Sequence, residues 1–597
     1  MSGERFIVVA EKASVAKAIR SVVAAAKVNA SVASVRGHLM EADLPEGYEW
    51  GLKNPLEIMR LRTVVDRVSD TKTFENLVKL FNDGGVLVVA TDNDSEGELI
   101  GYEVLKVYRR IHGEDAGCMR MRFNSLDRRE LFASWRNLEK DLNWRWVEKA
   151  RFRQVFDLIT GAAFTRLLTE STRKKARVRL ISWGSCQTPT LNFVVEREKE
   201  IMAFKPRKYW TVKAVLETEN GQTFTASSQI FWDNGLAERL HQEVQGLDKA
   251  VVSEYAEAEK AVQRPLPMRT DDVLRDLNRI TGVSASRLLS VMEELYSEGY
   301  MSYPRTDTNR YKPSFDFEAS RRVVEESGLL REAAPKGFGP NPRNGGRDDG
   351  AHPPIYPTAV YKGGDLRMRV WEYVARRFYA NAYAEDATQL SQQAVISLGP
   401  LELKAEGSSV VKQGFYAYFS YFKPSDKPIP RLVKNQQLKV VKTGLVEDET
   451  KPPPRLTEAE LLRLMERHGI GTDATRATYP QLIVDRNYAW KRGRQLQPTP
   501  LGMRLIEALS SADRRLVSPE TRKMVEEYME KIERREAELD ESLDITLRTY
   551  EDLLKTCLEK IESISTALAS AVNETQRRPV GRRGKGFNRF SHSKANL

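Results

Sequence analysis

In Val86-Leu87-Val88-Val89-Ala90-Thr91-Asp92-Asn93-Asp94-Ser95-Glu96-Gly97-Glu98, a strand-like apolar run gives way at once to an acidic cluster. Gly97 lets the chain turn tightly into the helix that should follow. A second strand-like run, Phe6 to Ala10, ends in Glu11-Lys12, and Ser14 can cap the next helix. Residues 1–147 alternate strand and helix patterns throughout, as an α/β domain with a parallel sheet does. Acidic groups at the carboxyl ends of such strands stand where open α/β sheets place their sites.

At 597 residues the chain is too long for one core, so several domains are expected. A hydrophobic fraction of 41% and a charged fraction of 30% are ordinary for a globular protein. No apolar run approaches the roughly 18 residues of a membrane span, and the start does not read as a signal peptide. Cys118, Cys186 and Cys557 lack paired spacing, which argues against a disulfide framework or a cysteine zinc module and fits a reducing compartment. The net charge of +11 favours polyanionic partners. From Gln576 to Leu597 there are seven Lys or Arg and no acid, so 576–597 reads as a disordered basic tail.

Residues 148–211 read as helix, then the loop Ser182 to Thr190, then helix from Leu191. Period-two alternation over 212–262 and again over 386–445 predicts strands. Gln263 to Pro267 and Glu449 to Pro454 mark boundaries. Helices are expected from about Thr270 to Gly299, and the Pro/Gly-rich stretch Pro335 to Pro357 as an extended loop. Thr457-Glu458-Ala459-Glu460 is a capping box. Its helix, the turn at Gly469 to Thr472, a second helix and a basic hairpin over Tyr488 to Pro498 together suggest a winged helix.

Asp92, Asp94 and Glu96 alternate, so in an extended or turning loop they can converge on a hard ion such as Mg²⁺. A solvated helix N-terminus explains the same acids equally well. Glu11 could shuttle a proton beside a phosphate, and Lys12 and Lys17 could hold that phosphate as point charges. In Ser302-Tyr303-Pro304-Arg305-Thr306-Asp307, Tyr303 is a candidate nucleophile and Arg305 a candidate stabiliser of phenolate and phosphate charge. Pro304 stiffens the link between them. The chain has no phosphate-binding loop of the Gly-x-x-x-x-Gly-Lys-Ser/Thr kind, consistent with chemistry that needs no ATP. His352, in a proline-rich loop, could donate to a phosphate or an acid, although loop histidines are ordinarily exposed; His38 reads as structural. Ser182, Gly184 and Gln187 offer donors suited to a DNA backbone. Arg166 could reach a phosphate or merely solvent, and Tyr209-Trp210 reads as core in preference to a base-stacking platform.

Order and spacing make these motifs a stronger joint signal, and together they resemble a type IA DNA topoisomerase over most of the chain. The acidic loop looks like a Toprim metal site, with Glu11 at that pattern's glutamate. Ser182-x-Gly184-Ser185-Cys186-Gln187-x-Pro189-Thr190-Leu191 resembles the second family signature. Leu295-Tyr296-x-x-Gly299-x-x-Ser302-Tyr303-Pro304-Arg305-Thr306-Asp307 resembles the tyrosine signature. Gly-Ser-Cys-Gln and His-Pro-Pro-Ile are most like topoisomerase III of the archaeal and eukaryotic kind. Ser185-Cys186, Tyr356 and Arg269-Thr270-Asp271-Asp272 depart from the usual residues at their positions.

The resemblance implies a multi-domain fold mixing α/β and α+β units. An amino-terminal Toprim (Rossmann-like) domain, 1–147, two winged-helix-like helical domains and a β-rich arch form a toroid. The first helical domain comprises 148–211 and 451–575, the arch 212–262 and 386–450, and the tyrosine domain 263–385. It also implies cleavage of one DNA strand through a 5′-phosphotyrosine intermediate, strand passage and religation. Asp92, Asp94 and Glu96 would hold Mg²⁺. The implied partners are DNA with single-stranded character and a helicase, acting on a monomer in the cytoplasm at the nucleoid, or in the nucleus of a eukaryote. A Toprim nuclease or primase-like enzyme, or a non-catalytic DNA-binding scaffold, are the alternatives.

Overall fold

The computed structural model describes residues 4–330, 332, 334, 338–472 and 475–577. Most of the basic tail, 578–597, lies outside the described residues; Arg577 closes a helix that runs from Ile561.

The strand Phe6–Ala10 is buried along its whole length and pairs in parallel with both Ala30–Ser34 and Val86–Ala90. The short strand Met119–Arg120 continues the parallel order, and Glu139–Lys140 closes the sheet antiparallel. Helices on both faces bury the sheet, which is why its central strands lack polar residues. Glu11 and Asp92 therefore leave two adjacent parallel strands at the same end.

A thirty-residue helix, Trp144–Arg173, then leads away from the sheet. Its apolar positions share one core with residues from 456 to 572, so segments some 300 residues apart complete a single helical unit. Within it, Ala489–Arg492 and Gln495–Pro498 pair as an antiparallel hairpin after the helices Glu458–Arg467 and Tyr479–Asp485. The capping box at Thr457 and Glu460 is formed.

Six strands close a barrel in the order Lys249–Val262, Ala387–Leu398, Leu401–Lys412, Thr223–Ser228, Lys208–Glu217, Gln437–Glu449. Two details differ from the alternation-based expectation. The first of these strands in chain order starts at Lys208, and a helix, Asn234–Val244, interrupts the segment. Asp233 caps that helix through Leu236 N, a local signal that period-two counting ignores.

The tyrosine-bearing unit has its own core from Met268 to Ala387, extended by Phe415, Tyr416 and Phe419. Tyr296 and Tyr303 are exceptions to it. Both pack into the core beneath the amino-terminal sheet, against Val8, Ala10, Val88, Ala90 and Phe123. The unit also meets the helical unit: Arg269 bridges to Glu466, Arg476 to Asp271, and Ala285 N donates to Glu458. No described helix is long and apolar enough to cross a membrane.

Candidate active site

The acidic loop is shaped by three devices. Asp94 caps the helix Ser95–His112, accepting from Gly97 N at 2.7 Å. A Cβ on residue 97 would lie 2.1 Å from the Asp92 carbonyl oxygen, so only glycine permits this turn. Arg120, fully buried, pairs with Glu98 and donates to the carbonyls of Thr91 and Asp92. Gly97→Ala should therefore displace the loop, at a cost of about 1–3 kcal/mol for overpacking. We expect a lowered denaturation midpoint; a parent-like value would disprove the constraint.

Tyr303, only 4% exposed, donates its hydroxyl hydrogen to Asp94 Oδ2 at 2.5 Å across 209 positions of sequence. Its backbone N donates to Asn124 O at 2.8 Å, and its ring stacks on His352 with centroids 5.0 Å apart. Tyr296 donates to Asp92 Oδ1 at 3.1 Å, and Lys12 Nζ reaches Asp92 Oδ2 at 2.9 Å. Glu11 Oε2 accepts from Asp92 N. Arg305 is held by Glu293 at 2.5–2.9 Å and lines the same small cavity as Asp94 and His352.

The electrostatics separate these groups by role. Burial pushes Glu11 up to about 8, and repulsion from Asp92 and Asp94 outweighs the opposing pull of Lys12. Burial would also raise Asp94, but Arg305, the Tyr303 hydroxyl and Gly97 N together hold it below the usual carboxylate range. Burial, then Asp94 and Asp92, drive the Tyr303 phenol well above its ordinary value, with Arg305 opposing. A carboxylic acid, a carboxylate and a neutral phenol thus share one site near pH 7, an arrangement fit for proton transfer.

Several expected residues fall elsewhere. Glu96, at the second position of the helix, lines the same cavity as Asp94 but is held by Arg153 at 2.5 Å and His38 at 3.3 Å. Asp92, Asp94 and Glu96 therefore do not converge. The loop is helical from Ser95, so alternate residues no longer share a side. Among the described residues no group of three or more His, Cys, Asp or Glu side chains could hold a metal. Glu11, Asp92 and Asp94 do crowd one another, and two oxygen-donor carboxylates with waters and a phosphate suit Mg²⁺.

The helix predicted from Leu191 begins at Gln187. Gln187 and Ser182 are buried and bonded to each other, and Ser182 is further bonded by Tyr488. Gly184 N turns toward Thr188 Oγ1. Ser182, Gly184 and Gln187 thus bond within the protein in this conformation. Arg166 is also buried; it donates to the carbonyls of Tyr48 and Glu49 and sits over Trp50, pinning a loop of the amino-terminal unit. Lys17 is exposed on the outer side of its helix. His352 is buried, contrary to the default for a loop histidine, because Asp349 accepts from both its backbone N and Nδ1. His38 joins Glu103 at 2.8 Å as well as Glu96, and although burial opposes its charge these acids raise it to about 10.

Sequence reasoning missed Tyr296, Asp349, Glu293, Arg120 and Arg153. Tyr296 carried a usable signal, seven residues ahead of Tyr303 across a turn. Asp349 stood three residues before His352 and Glu293 twelve before Arg305, while Arg120 and Arg153 act through partners more distant in sequence.

The DNA topoisomerase family model matches residues 141–544, and the Toprim domain model matches residues 6–126. The chain belongs to the DNA topoisomerase family. Within it, the chain is 30% identical over 549 residues to DNA topoisomerase 1 of Thermoplasma acidophilum, covering 90% of this chain and 69% of that one. It is 33% identical over 541 residues to human DNA topoisomerase 3-beta-1, covering 87% and 62% respectively. It is 30% identical over 563 residues to DNA topoisomerase 3 of Candidozyma auris, covering 90% and 87%. The chain thus spans less than two thirds of the human relative's length. The full-length topoisomerase I structure of Thermotoga maritima superposes with a TM-score of 0.72 at 22% identity, covering 94% of this chain and 90% of that one, which shows the type IA toroidal fold. Toprim domains as a class bind Mg²⁺.

Proposed function

We propose that this topoisomerase cleaves and reseals one DNA strand through Tyr303, without ATP. The observation that carries the reading is the Tyr303–Asp94 hydrogen bond, which unites the tyrosine loop with the acidic loop of the Toprim sheet. Tyr303 Oη attacks a phosphorus and yields its proton to Asp94. A phosphorus–Oη bond forms as the bond to the 3′ oxygen breaks. Glu11, the protonated acid of the site, donates to that leaving oxygen and takes the proton back on resealing. Arg305 and Lys12 face the pentavalent phosphate, with His352 as a further contact. Asp92 and Asp94 are the residues that would hold Mg²⁺, which when bound supplies positive charge beside the phosphate. Glu96 is assigned instead to fixing His38 and Arg153.

The cavity beside Asp94, Arg305 and His352 measures about 110 Å³. That is room for a few waters and not for a nucleotide. Substrate entry and strand passage therefore require the 263–385 unit to withdraw from the sheet, carrying Tyr303 with it. The resulting topoisomer would be relaxed or decatenated DNA. We further propose that the substrate has single-stranded character, that the enzyme acts as a monomer at the nucleoid or in the nucleus, and that a helicase supplies unpaired strands. The direct test is a negatively supercoiled plasmid with Mg²⁺ and no ATP. Stepwise relaxation is expected; linear or nicked products without topoisomers would favour a Toprim nuclease.

A further inference from the structure

A second concave site lies apart from the cleft. It has a volume of about 670 Å³ and is lined by Arg275, Arg279, Arg463, Arg494, Tyr421 and Phe422. None of its lining residues is shared with the cavity beside Tyr303. Arg269 and Thr270, at the start of the helix Thr270–Thr281, adjoin the tyrosine loop, where Thr270 N donates to Thr306 O. Arg279 stands at the other end, about 15 Å further along at 1.5 Å per residue.

The charges in this pocket are mostly unspent. Arg275 is neutralised by Asp272 at 2.7 Å. Arg279, Arg463 and Arg494 are exposed and have no carboxylate partner among the described residues. The lining carboxylate, Glu460, is committed to Thr457 in the capping box. Three guanidiniums left together in a concavity repel one another and favour an anion. The aromatic wall adds a second requirement. Phe422 is 38% exposed with Arg279 over its ring at 5.1 Å, and Tyr421 lies beside it. Guanidiniums for phosphates and aromatic rings for bases are the two elements of sequence-tolerant single-strand binding; here Tyr421 is packed on Tyr373 and Phe419, and a base would take the place of Arg279 on the exposed Phe422 ring.

We propose that this pocket is a second binding site for single-stranded nucleic acid, accommodating one or two nucleotides. Arg275 and Arg279 come from the unit that carries Tyr303, and the aromatic pair from the later segment whose Phe415, Tyr416 and Phe419 extend that unit's core. Arg463 and the hairpin-tip Arg494, which donates to Arg279 O at 2.7 Å, come from the helical unit. A strand bound here bridges the seam that must part for strand passage, so it holds the gate shut until it leaves.

The test uses the full chain with Tyr303→Phe, which keeps DNA uncut and makes the result independent of the proposed chemistry. Six-residue oligothymidylates carrying one 5-iodouracil are irradiated with the protein and adducts mapped by mass spectrometry. Adducts are expected on Tyr421 or Phe422 as well as in the cleft. Adding Arg279→Glu with Arg494→Glu should reduce the former at least tenfold, leave cleft adducts within twofold and lower the salt slope of binding by about 1.4. Arg279→Lys with Arg494→Lys should restore them. Absence of adducts on these aromatics, or their persistence after charge reversal, would overturn the proposal. So would displacement of a bound fluorescent dinucleotide by tripolyphosphate but not by oligothymidylate, which marks a site for small anions.

Discussion

Tyr303→Phe is expected to eliminate supercoil relaxation and the denaturant-resistant protein–DNA adduct together, by a factor on the order of 10⁴ or more, as loss of a covalent nucleophile does. The substitution removes one oxygen and leaves the ring. That ring packs on Tyr296 at 5.2 Å and on His352 at 5.0 Å, contacts that do not need the hydroxyl. The lost bond to Asp94 should alter stability by only about 1 kcal/mol. The variant should therefore fold and bind single-stranded oligonucleotides within about threefold of the parent. This separation of binding from cleavage is the informative part. A nuclease that uses only the acidic loop would keep cutting; a scaffold would show no activity in the parent either. Relaxation at the parental rate by the variant would remove Tyr303 from the chemistry.

The parts of this molecule legible in its sequence are those written in contiguous residues. Val86–Ala90 and Phe6–Ala10 are buried strands because they are apolar throughout, and the capping box at Thr457 forms because its four residues suffice for it. The site is legible as a set of residues and not as an arrangement. Asp92, Asp94 and Glu96 look equivalent in sequence, yet the helix starts between them and one oxygen of Asp94 caps its first turn while the other faces Tyr303. Arg166 looks like a solvent-facing cation until Tyr48 and Glu49, more than a hundred residues earlier, offer it carbonyls. Ser182 and Gln187 look like free donors until Tyr488 arrives from the returning half of the helical unit. For Arg166 and Ser182 the deciding partner comes from a segment with which local pattern has no connection.

Glu11→Gln carries the second large effect, and its pH dependence distinguishes a proton donor from a structural carboxylate. With Glu11 raised to about 8, mainly by burial and then by Asp92 and Asp94, single-turnover cleavage should be steady below that pH and fall about tenfold per pH unit above it. Resealing of the trapped adduct should rise through the same range, because there Glu11 must first be ionised. The glutamine variant keeps the volume and loses the proton. Its cleavage should be slower by about 10²–10⁴ below pH 8, with the alkaline limb gone. Stability should move the other way. A group whose folded value lies above its unfolded 4.5 contributes stability that is fully present below 4.5 and is lost as the pH rises through about 8. The variant should thus match the parent near pH 4 and exceed it in denaturant midpoint near pH 8.5. Slower cleavage combined with greater alkaline stability is the signature of a carboxyl group kept in an unfavourable place for its chemistry. An unchanged alkaline limb in the variant would assign the titration to another group and end Glu11's candidacy as the acid.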